Sequence, residues 1–274
     1  MTTPRLAHST KFGRLYQRPG AAASELKPAW EAVQKGTLLP SVTNVIDSLS
    51  KPYLQTWYAK RAAEDAVQVN VTHPGLMESK PIEAIKWITN AASRTSNNAA
   101  EIGDKVHNAA EMLARGEEPE ITPEIAPFIK NWNKFVKDNN PEFLHLEATA
   151  YGKTSSNGQT KGFAGTADFI ATINGKTYIG DYKTGKGIHT EAALQLSALA
   201  HADELFDEAT ETMLPMPKID GCLVVHITAS GYALHIINDM ETPWDAFQKL
   251  RDLWDFHQLN LTTREPLFMT KEAI

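Results

Sequence analysis

Two aspartates in the middle of the sequence have the spacing of a shared metal site. Asp168 and Asp181 lie on the two arms of a predicted β-hairpin that turns at Asn174-Gly175. Asn-Gly between runs of β-branched residues is a strong hairpin signal, because both residues accept the positive φ that a type I′ turn requires. In a two-residue hairpin Ile173 pairs with Lys176, and the same register puts Asp168 directly opposite Asp181.

Opposed carboxylates repel each other unless a cation lies between them. Directly paired residues have Cβ atoms about 4.5 to 5.5 Å apart, and like charges at that spacing destabilise a strand pair. Hard oxygen donors suit Mg²⁺ or Mn²⁺, so we expect one of these ions. Lys183 follows Asp181 by two residues and therefore points to the same face. Its ammonium can position a nucleophile or stabilise charge that develops on phosphorus; the ordinary alternative is a solvated lysine at a strand end.

The elements that must position these residues follow an α/β pattern. Helices are predicted over residues 51–66, 81–94, 98–115, 122–138 and 190–208, with a last helix from Thr242. Strands are predicted over residues 143–151, 163–173 and 176–183, with a second hairpin over 223–227 and 232–237. From this order we expect an α/β fold in which a mixed β-sheet is flanked by helices.

The composition is that of an ordinary globular protein, with 274 residues of which 42% are hydrophobic. The single cysteine, Cys222, excludes an internal disulfide and an iron–sulfur cluster, and we expect it to pack as a small apolar residue. No apolar run approaches the roughly 18 residues of a membrane span, and the amino terminus does not have the apolar stretch of a signal peptide. We therefore expect a cytoplasmic protein with no membrane partner.

The net charge of −6 is unusual for a protein that binds phosphates. The basic residues are unevenly distributed, because residues 1–28 contain five lysines and arginines and one acidic residue, Glu25. Residues 1–37 have no sustained hydrophobic period and are predicted to be a flexible basic arm. Such an arm either holds nucleic acid loosely or is simply solvated.

Asp168 followed by Asp181-Tyr182-Lys183 resembles the signature of the PD-(D/E)XK nucleases. The triplet alone is not specific, and its context carries the resemblance to the RecB-like exonuclease branch. The matching features are Gly103-Asp104-Lys105-Val106-His107 on a helix, Gly165-Thr166-Ala167-Asp168, Gln195 on the next helix, and the early stretch Leu39-Pro40-Ser41-Val42-Thr43-Asn44-Val45-Ile46. Their order is that of bacteriophage exonucleases and mitochondrial genome maintenance exonucleases. The chain departs from the branch at Leu199, where a tyrosine is common, and it does not have the cysteines of the CRISPR-associated exonucleases.

The resemblance implies a restriction-endonuclease-like domain over residues 38–274, with a helical cap over about 40–95. It implies that the metal ligands are His107, Asp168, Asp181 and the Tyr182 carbonyl, and that Asp168, Asp181 and Lys183 are catalytic. Glu147 is a further catalytic candidate, because its strand is expected beside Asp168, where it either completes the site or holds a metal-bound water. Glu111 or Asp104 would orient His107. Gln195, Lys186 and Lys161 are the substrate-binding candidates, although a helix-surface amide, a plain turn and a solvated lysine are the respective alternatives.

The implied activity is a DNA exonuclease that works from single-stranded or duplex ends in phage or bacterial recombination, repair or replication. A single-strand annealing or recombination protein is the expected partner. Two alternatives stay open: a site-specific endonuclease of the same superfamily, and a DNA-binding accessory protein without catalysis. The oligomeric state and the cleavage polarity are not indicated by the sequence.

Overall fold

The computed structural model describes residues 7–156, 158–208 and 210–259. The strands are β1 (Ala7–Thr10), β2 (Gly13–Gln17), β3 (Leu38–Pro40), β4 (Glu142–Ser156), β5 (Gln159–Ile173), β6 (Lys176–Lys183), β7 (Glu204–Asp207), β8 (Thr212–Pro215), β9 (Gly221–Ile227) and β10 (Tyr232–Ile237). The helices are α1 (Ala29–Lys35), α2 (Val42–Ile46), α3 (Pro52–Thr72), α4 (Leu76–Ser79), α5 (Pro81–Thr89), α6 (Ala91–Ala114), α7 (Ala126–Asn139), α8 (Thr190–Ala200) and α9 (Glu241–Gln258).

The hairpin of β5 and β6 forms as the sequence predicts. Asn174 and Gly175 have φ values of 50° and 75°, as a type I′ turn requires. The register runs from Ile173 opposite Lys176 to Phe169 opposite Gly180. At Gly180 a Cβ atom would lie 2.0 Å from the Phe169 ring, so only glycine fits beneath that ring. The predicted register is confirmed, but the pairing ends one residue before the two aspartates would face each other.

The two strands separate at this point and continue in different partnerships. The seven-stranded sheet has the order β10-β9-β6-β5-β4-β7-β8. β6 continues to Lys183 in parallel with β9, while β5 continues antiparallel to β4. The sheet is therefore mixed, as predicted, and it forks between β5 and β6. A second, three-stranded sheet has the order β1-β2-β3.

Helices cover both faces of the large sheet. On one face α6 and α7 bury Phe135 against Phe169 and Tyr182 of the hairpin. On the other face α2, α8 and α9 form the larger core, which includes Leu196 and Phe247. Alternate residues of β5 and β6 therefore belong to different cores, because side chains alternate across a strand. Asp168 and Asp181 share the face of their neighbours Ile170 and Ile179, which lie in the larger core.

The prediction of a flexible arm over residues 1–37 is wrong for residues 7–37. These residues form β1, β2 and α1, and β2 pairs with β3 across the predicted domain boundary. Leu15 and Tyr16 are buried. The sequence did not reveal this order for two reasons. Strands of four or five residues are too short to show a hydrophobic period. The contact of the Tyr16 hydroxyl, 3.2 Å from Thr166 Oγ1 on β5, is with a residue 150 positions away. Residues 1–6 lie outside the described ranges.

Several predicted helix boundaries are also wrong. The helix expected over 190–208 ends at Ala200, and Glu204–Asp207 forms β7 at the side of β4. The helix expected over 122–138 begins only at Ala126, and the Thr122 carbonyl accepts two turn hydrogen bonds before it. The two helices expected over 81–94 and 98–115 are separated earlier than predicted, at Asn90 between α5 and α6. The segment predicted as a cap is helical from α2 to α5.

The composition predicts that Cys222 packs as an apolar residue and that no segment spans a membrane. Cys222 is buried on β9, where burial raises the pKa of its thiol to about 12, so its role as an apolar packing residue is confirmed. Within the described ranges, no helix has both the length and the apolar character that a membrane span needs.

Candidate active site

A cleft of about 250 Å³ opens where β5 and β6 separate. Five of the predicted site residues line it: Glu147, Asp168, Asp181, Lys183 and Gln195. They come from β4, β5, β6 and α8, so the fork in the sheet brings together residues that lie up to 48 positions apart in the sequence. Because the backbone pairing between the two strands ends here, the backbone groups that would have continued it need other partners.

Each of the two aspartates contacts one cationic side chain and one hydrogen-bond donor. Asp168 Oδ2 accepts a hydrogen bond of 2.6 Å from the Tyr182 N–H. The same oxygen lies 3.2 Å from Nδ1 of His107 on α6. Asp181 Oδ1 accepts a hydrogen bond of 3.3 Å from the Gln195 side-chain amide, and Asp181 Oδ2 lies 2.6 Å from the Lys183 ammonium. Asp168 and Asp181 are only 8% and 4% exposed, so their carboxylates depend on these partners.

The surroundings move the pKa values of the two aspartates in opposite directions. Burial alone would raise both. At Asp168 the charge and contact of His107 and the Tyr182 N–H outweigh burial and lower the pKa. At Asp181 burial and the negative charge of Asp168 raise the pKa, against the attraction of Lys183. The site therefore holds one strongly acidic carboxyl and one that resists ionisation.

The two cationic side chains are held in their charged forms. Burial alone would lower the pKa of His107, but Asp168 outweighs this effect and raises the pKa to about 9. The pKa of Lys183 is also raised, because the adjacent Asp181 carboxylate more than compensates for burial. The positive charges of His107 and Lys183 thus offset the repulsion between the two aspartates.

The donor set fits a hard divalent cation. Asp181 Oδ2 and His107 Nδ1 are buried atoms that make no hydrogen bond, although each lies beside a charged neighbour. Among the described residues, no three His, Cys, Asp or Glu side chains are already arranged as a metal-binding group. Carboxylate oxygens are nevertheless what Mg²⁺ and Mn²⁺ prefer, and the neighbouring cations show how strongly this pair needs positive charge.

The Tyr182 backbone points toward the same place. Its N–H donates to Asp168 across the fork. In an extended strand the N–H and C=O of one residue leave the strand on the same edge, so the Tyr182 carbonyl also points to the Asp168 side. A carbonyl that binds a metal together with Asp168 would need to point in this direction.

Glu147 is held beside Asp168 in an unusual backbone conformation. Its φ is 48°, in the left-handed region, although it lies within β4. Residues 146 and 148 pair with 169 and 167, which leaves Glu147 next to Asp168. Such a conformation costs about 1–3 kcal/mol and is typical of functional sites. Burial, Asp168 and Glu111 raise the pKa of Glu147 to about 7, so near neutral pH it can accept or donate a proton.

The structure adds cleft residues that sequence reasoning missed. Arg14, Tyr16, Ser41, Thr43 and Thr166 line the cleft, and four of these lie outside the large sheet. Arg14 is exposed and has no carboxylate partner within the described residues. Ser41, Thr43 and Thr166 lie within the motif stretches that carry the family resemblance, with no role predicted for them, and the signal for Arg14 was the basic composition of residues 1–28. Tyr16 and Leu199 both line the cleft, and the Tyr16 hydroxyl lies 3.2 Å from Thr166 Oγ1.

The contacts of Glu111, Lys161 and Lys186 do not support the roles predicted for them. Glu111 does not orient His107; its carboxylate binds Arg115 one helical turn away, and Asp104 is exposed. Lys161 is not a cleft residue, because it is seven positions from Asp168 along β5, about 23 Å at roughly 3.3 Å per residue. Its ammonium lies 2.7 Å from Asp252 and 3.0 Å from Asp255 on α9. Lys186 is exposed in the loop after β6 and does not line the cleft.

Lys161→Ala is expected to lower stability by about 1–3 kcal/mol, the usual cost when a partly buried hydrogen-bonded charge loses its partner, and to leave unchanged the DNA cleavage that the resemblance implies. The ion pairs that it removes join β5 to α9. Chemical denaturation and an assay of initial rates would measure both effects. A large loss of cleavage with unchanged stability would show that Lys161 contacts substrate after all.

Comparisons with known proteins add little to this geometry. No family model matches the chain, and no curated protein matches it. A search of solved structures finds the crystal structure of SSO0001, which is 18% identical and has a TM-score of 0.36. The match covers 64% of this chain and 68% of that protein. At this TM-score the similarity carries no argument about fold or activity.

Proposed function

We propose that this protein is a nuclease that uses Mg²⁺ or Mn²⁺ to hydrolyse DNA phosphodiester bonds from strand ends. The observation that carries the proposal is the convergence of Asp168, Asp181 and Lys183 in one cleft at the fork of the sheet. Two carboxylates with a lysine on the same strand face are a minimal set for phosphodiester hydrolysis with a divalent cation. The cation would neutralise the carboxylates, polarise the scissile phosphate and acidify a water molecule.

Within this proposal the carboxylates and the backbone hold the cation. Asp168, Asp181 and the Tyr182 carbonyl provide the oxygen donors, and Gln195 keeps Asp181 oriented through its amide. His107, whose imidazole carries a proton beside Asp168, is a counter-charge to that carboxylate, and it would have to lose this proton to be the fourth ligand that the resemblance implies. In both roles His107 determines the charge of Asp168, since the two side chains are in direct contact.

Lys183 and Glu147 are the groups that act on protons and charge. The Lys183 side chain is 36% exposed, and it lines the cleft from the same strand as Asp181. It can orient the attacking water and stabilise the negative charge that develops on the phosphate. Glu147, whose pKa is raised to about 7, can accept the proton that the water loses.

The surroundings of the cleft support a substrate bound by its backbone and its end. Arg14 is a cation in the cleft with no carboxylate partner among the described residues, so it is available to a phosphate. The described residues show no separate module for reading base sequence, and α3 packs beside the cleft through Tyr53 and Glu191. As part of the same proposal, the enzyme acts in the cytoplasm in DNA recombination, repair or replication, with an annealing or recombination protein as partner.

Linear and circular DNA of one sequence distinguish strand-end cleavage from internal cleavage. With Mg²⁺ or Mn²⁺, end-labelled linear DNA is expected to shorten progressively, while a covalently closed circle resists. A bulky adduct at one terminus should protect the strand that is entered from that end. Rapid cutting of the circle at discrete positions would establish the endonuclease alternative, and intact DNA under all conditions would support the non-catalytic one.

A further inference from the structure

Helix α8 makes two contacts on one face, one of them inside the cleft and one just outside it. Gln195 donates to Asp181 in the cleft. Glu191, four residues earlier, accepts a hydrogen bond of 3.1 Å from the Tyr53 hydroxyl at the beginning of α3. Residues four apart lie on the same helix face, about 6 Å from each other along the axis. Tyr53 is therefore placed one helical turn from the cleft.

The Tyr53 ring forms an exposed aromatic surface with His189, which directly precedes α8. The ring centroids are 5.9 Å apart and the planes differ by 12°, so the two faces are nearly parallel. Tyr53 is 50% exposed, and His189 is exposed as well. Neither ring belongs to a hydrophobic core cluster of the described residues. The pair is thus held in place by α8 without contributing to the core.

We propose that Tyr53 and His189 form a stacking site for an unpaired nucleobase, so that the substrate end enters as a single strand. The inference rests on the proposed nuclease function, because the stacking site would bind one further nucleotide of the DNA whose end lies in the cleft. Every base offers a flat face, and stacking on an aromatic ring is worth roughly tenfold or more in affinity for each base. Inside a duplex both faces of each base are covered by neighbouring base pairs, and only the outer face of the last pair is open.

The charges around the pair favour a base over a phosphate. The Glu191 carboxylate is hydrogen-bonded to Tyr53 and would repel a phosphate at the same place. Lys51, the nearest lysine in the sequence, is paired with Asp47 at 2.9 Å. Arg14 provides a cation without a carboxylate partner elsewhere in the cleft. Backbone contacts on one side and a stacking surface on another are the combination that single-strand binding sites use.

Binding of a short oligonucleotide in excess chelator tests the stacking site without cleavage. The probe is single-stranded DNA that carries a fluorescent adenine analogue near one end, compared with its blunt duplex. Tyr53→Ala is expected to weaken single-strand binding about tenfold and to abolish quenching of the analogue, with blunt-duplex binding changed by less than about twofold. Tyr53→Phe retains the ring, loses only the hydrogen bond to Glu191, and should bind nearly as the unmodified protein does.

Tyr58 provides a matched control on the same helix. It is 48% exposed, but its ring packs edge-on against Trp57 rather than beside α8. Tyr58→Ala should leave single-strand binding unchanged. Equal losses from Tyr53→Ala and Tyr58→Ala, equal losses for single strand and duplex, or no loss at all would overturn the stacking site. If the expected binding pattern is found but DNA stays intact with every metal, the nuclease proposal alone fails.

Discussion

Asp181→Asn is expected to abolish DNA cleavage while leaving the protein folded and, without added metal, at least as stable as before. Burial and Asp168 raise the pKa of Asp181, which means that the fold disfavours its ionised form. Asparagine removes that charge and still offers an oxygen to Gln195. Lys183 loses a partner but is exposed enough to turn toward solvent. The proposed divalent cation would lose a ligand, and the expected fall in rate is at least on the order of 10³-fold.

Thermal unfolding with chelator and with Mn²⁺ separates the two effects. In chelator, the unfolding temperature of Asp181→Asn should equal or exceed that of the unmodified protein. Mn²⁺ should raise the unfolding temperature of the unmodified protein and not that of the variant, since only a ligand that binds the native state stabilises it. Asp220→Asn, outside the cleft, is the control for loss of one carboxylate. Undiminished cleavage by Asp181→Asn, or full activity of the unmodified protein in excess chelator, would refute the metal site.

Lys183→Ala is expected to lower the cleavage rate by at least on the order of 10²-fold while DNA and Mn²⁺ affinities stay nearly unchanged. The ammonium is in contact with Asp181 and lies in the cleft, so it can act on the reacting groups. Its removal leaves both carboxylates in place, and the cation site should persist. Single-turnover rates at saturating enzyme report the chemical step, and equilibrium binding reports the affinity.

Lys161 is the matched control for Lys183. Both lysines belong to the same hairpin and both are paired with aspartates, but only Lys183 lines the cleft. The two alanine variants should therefore show opposite phenotypes: Lys161→Ala loses stability and retains activity, whereas Lys183→Ala loses activity and retains most of its stability. Equal losses of affinity and rate in Lys183→Ala would identify Lys183 as a binding residue instead.

The fork in the sheet explains how two acidic side chains can be buried so close together. If β5 and β6 remained paired through Asp168 and Asp181, both carboxylates would be held face to face on a rigid ladder. Because the pairing ends at Phe169 and Gly180, Asp168 can instead accept the Tyr182 N–H, and His107 can reach it from α6. The strand separation that opens the cleft thus also supplies the groups that stabilise its charges.

The sequence by itself determined what depends on neighbouring residues. The Asn174-Gly175 turn accepts positive φ at both positions, so it establishes the hairpin and its register. The alternation of side chains along β6 then places Asp181 and Lys183 on one face. Helix starts at Pro52 and Pro81 follow in the same way from the fixed φ of proline. In each case the deciding interaction lies within a few residues of the chain.

Only the tertiary structure decided which distant groups meet. From sequence alone, Lys161 resembles a substrate contact. In the folded protein it is paired with Asp252, which lies 91 residues later in the chain. From sequence alone, residues 1–37 resemble a flexible arm, because Thr166, the residue on β5 that the Tyr16 hydroxyl contacts, lies 150 residues away. Glu204–Asp207 forms a strand because the edge of β4 is available there, which outweighs its local preference for helix. Long-range packing and pairing energies exceed local propensities at these positions, and the sequence pattern carries no information about them.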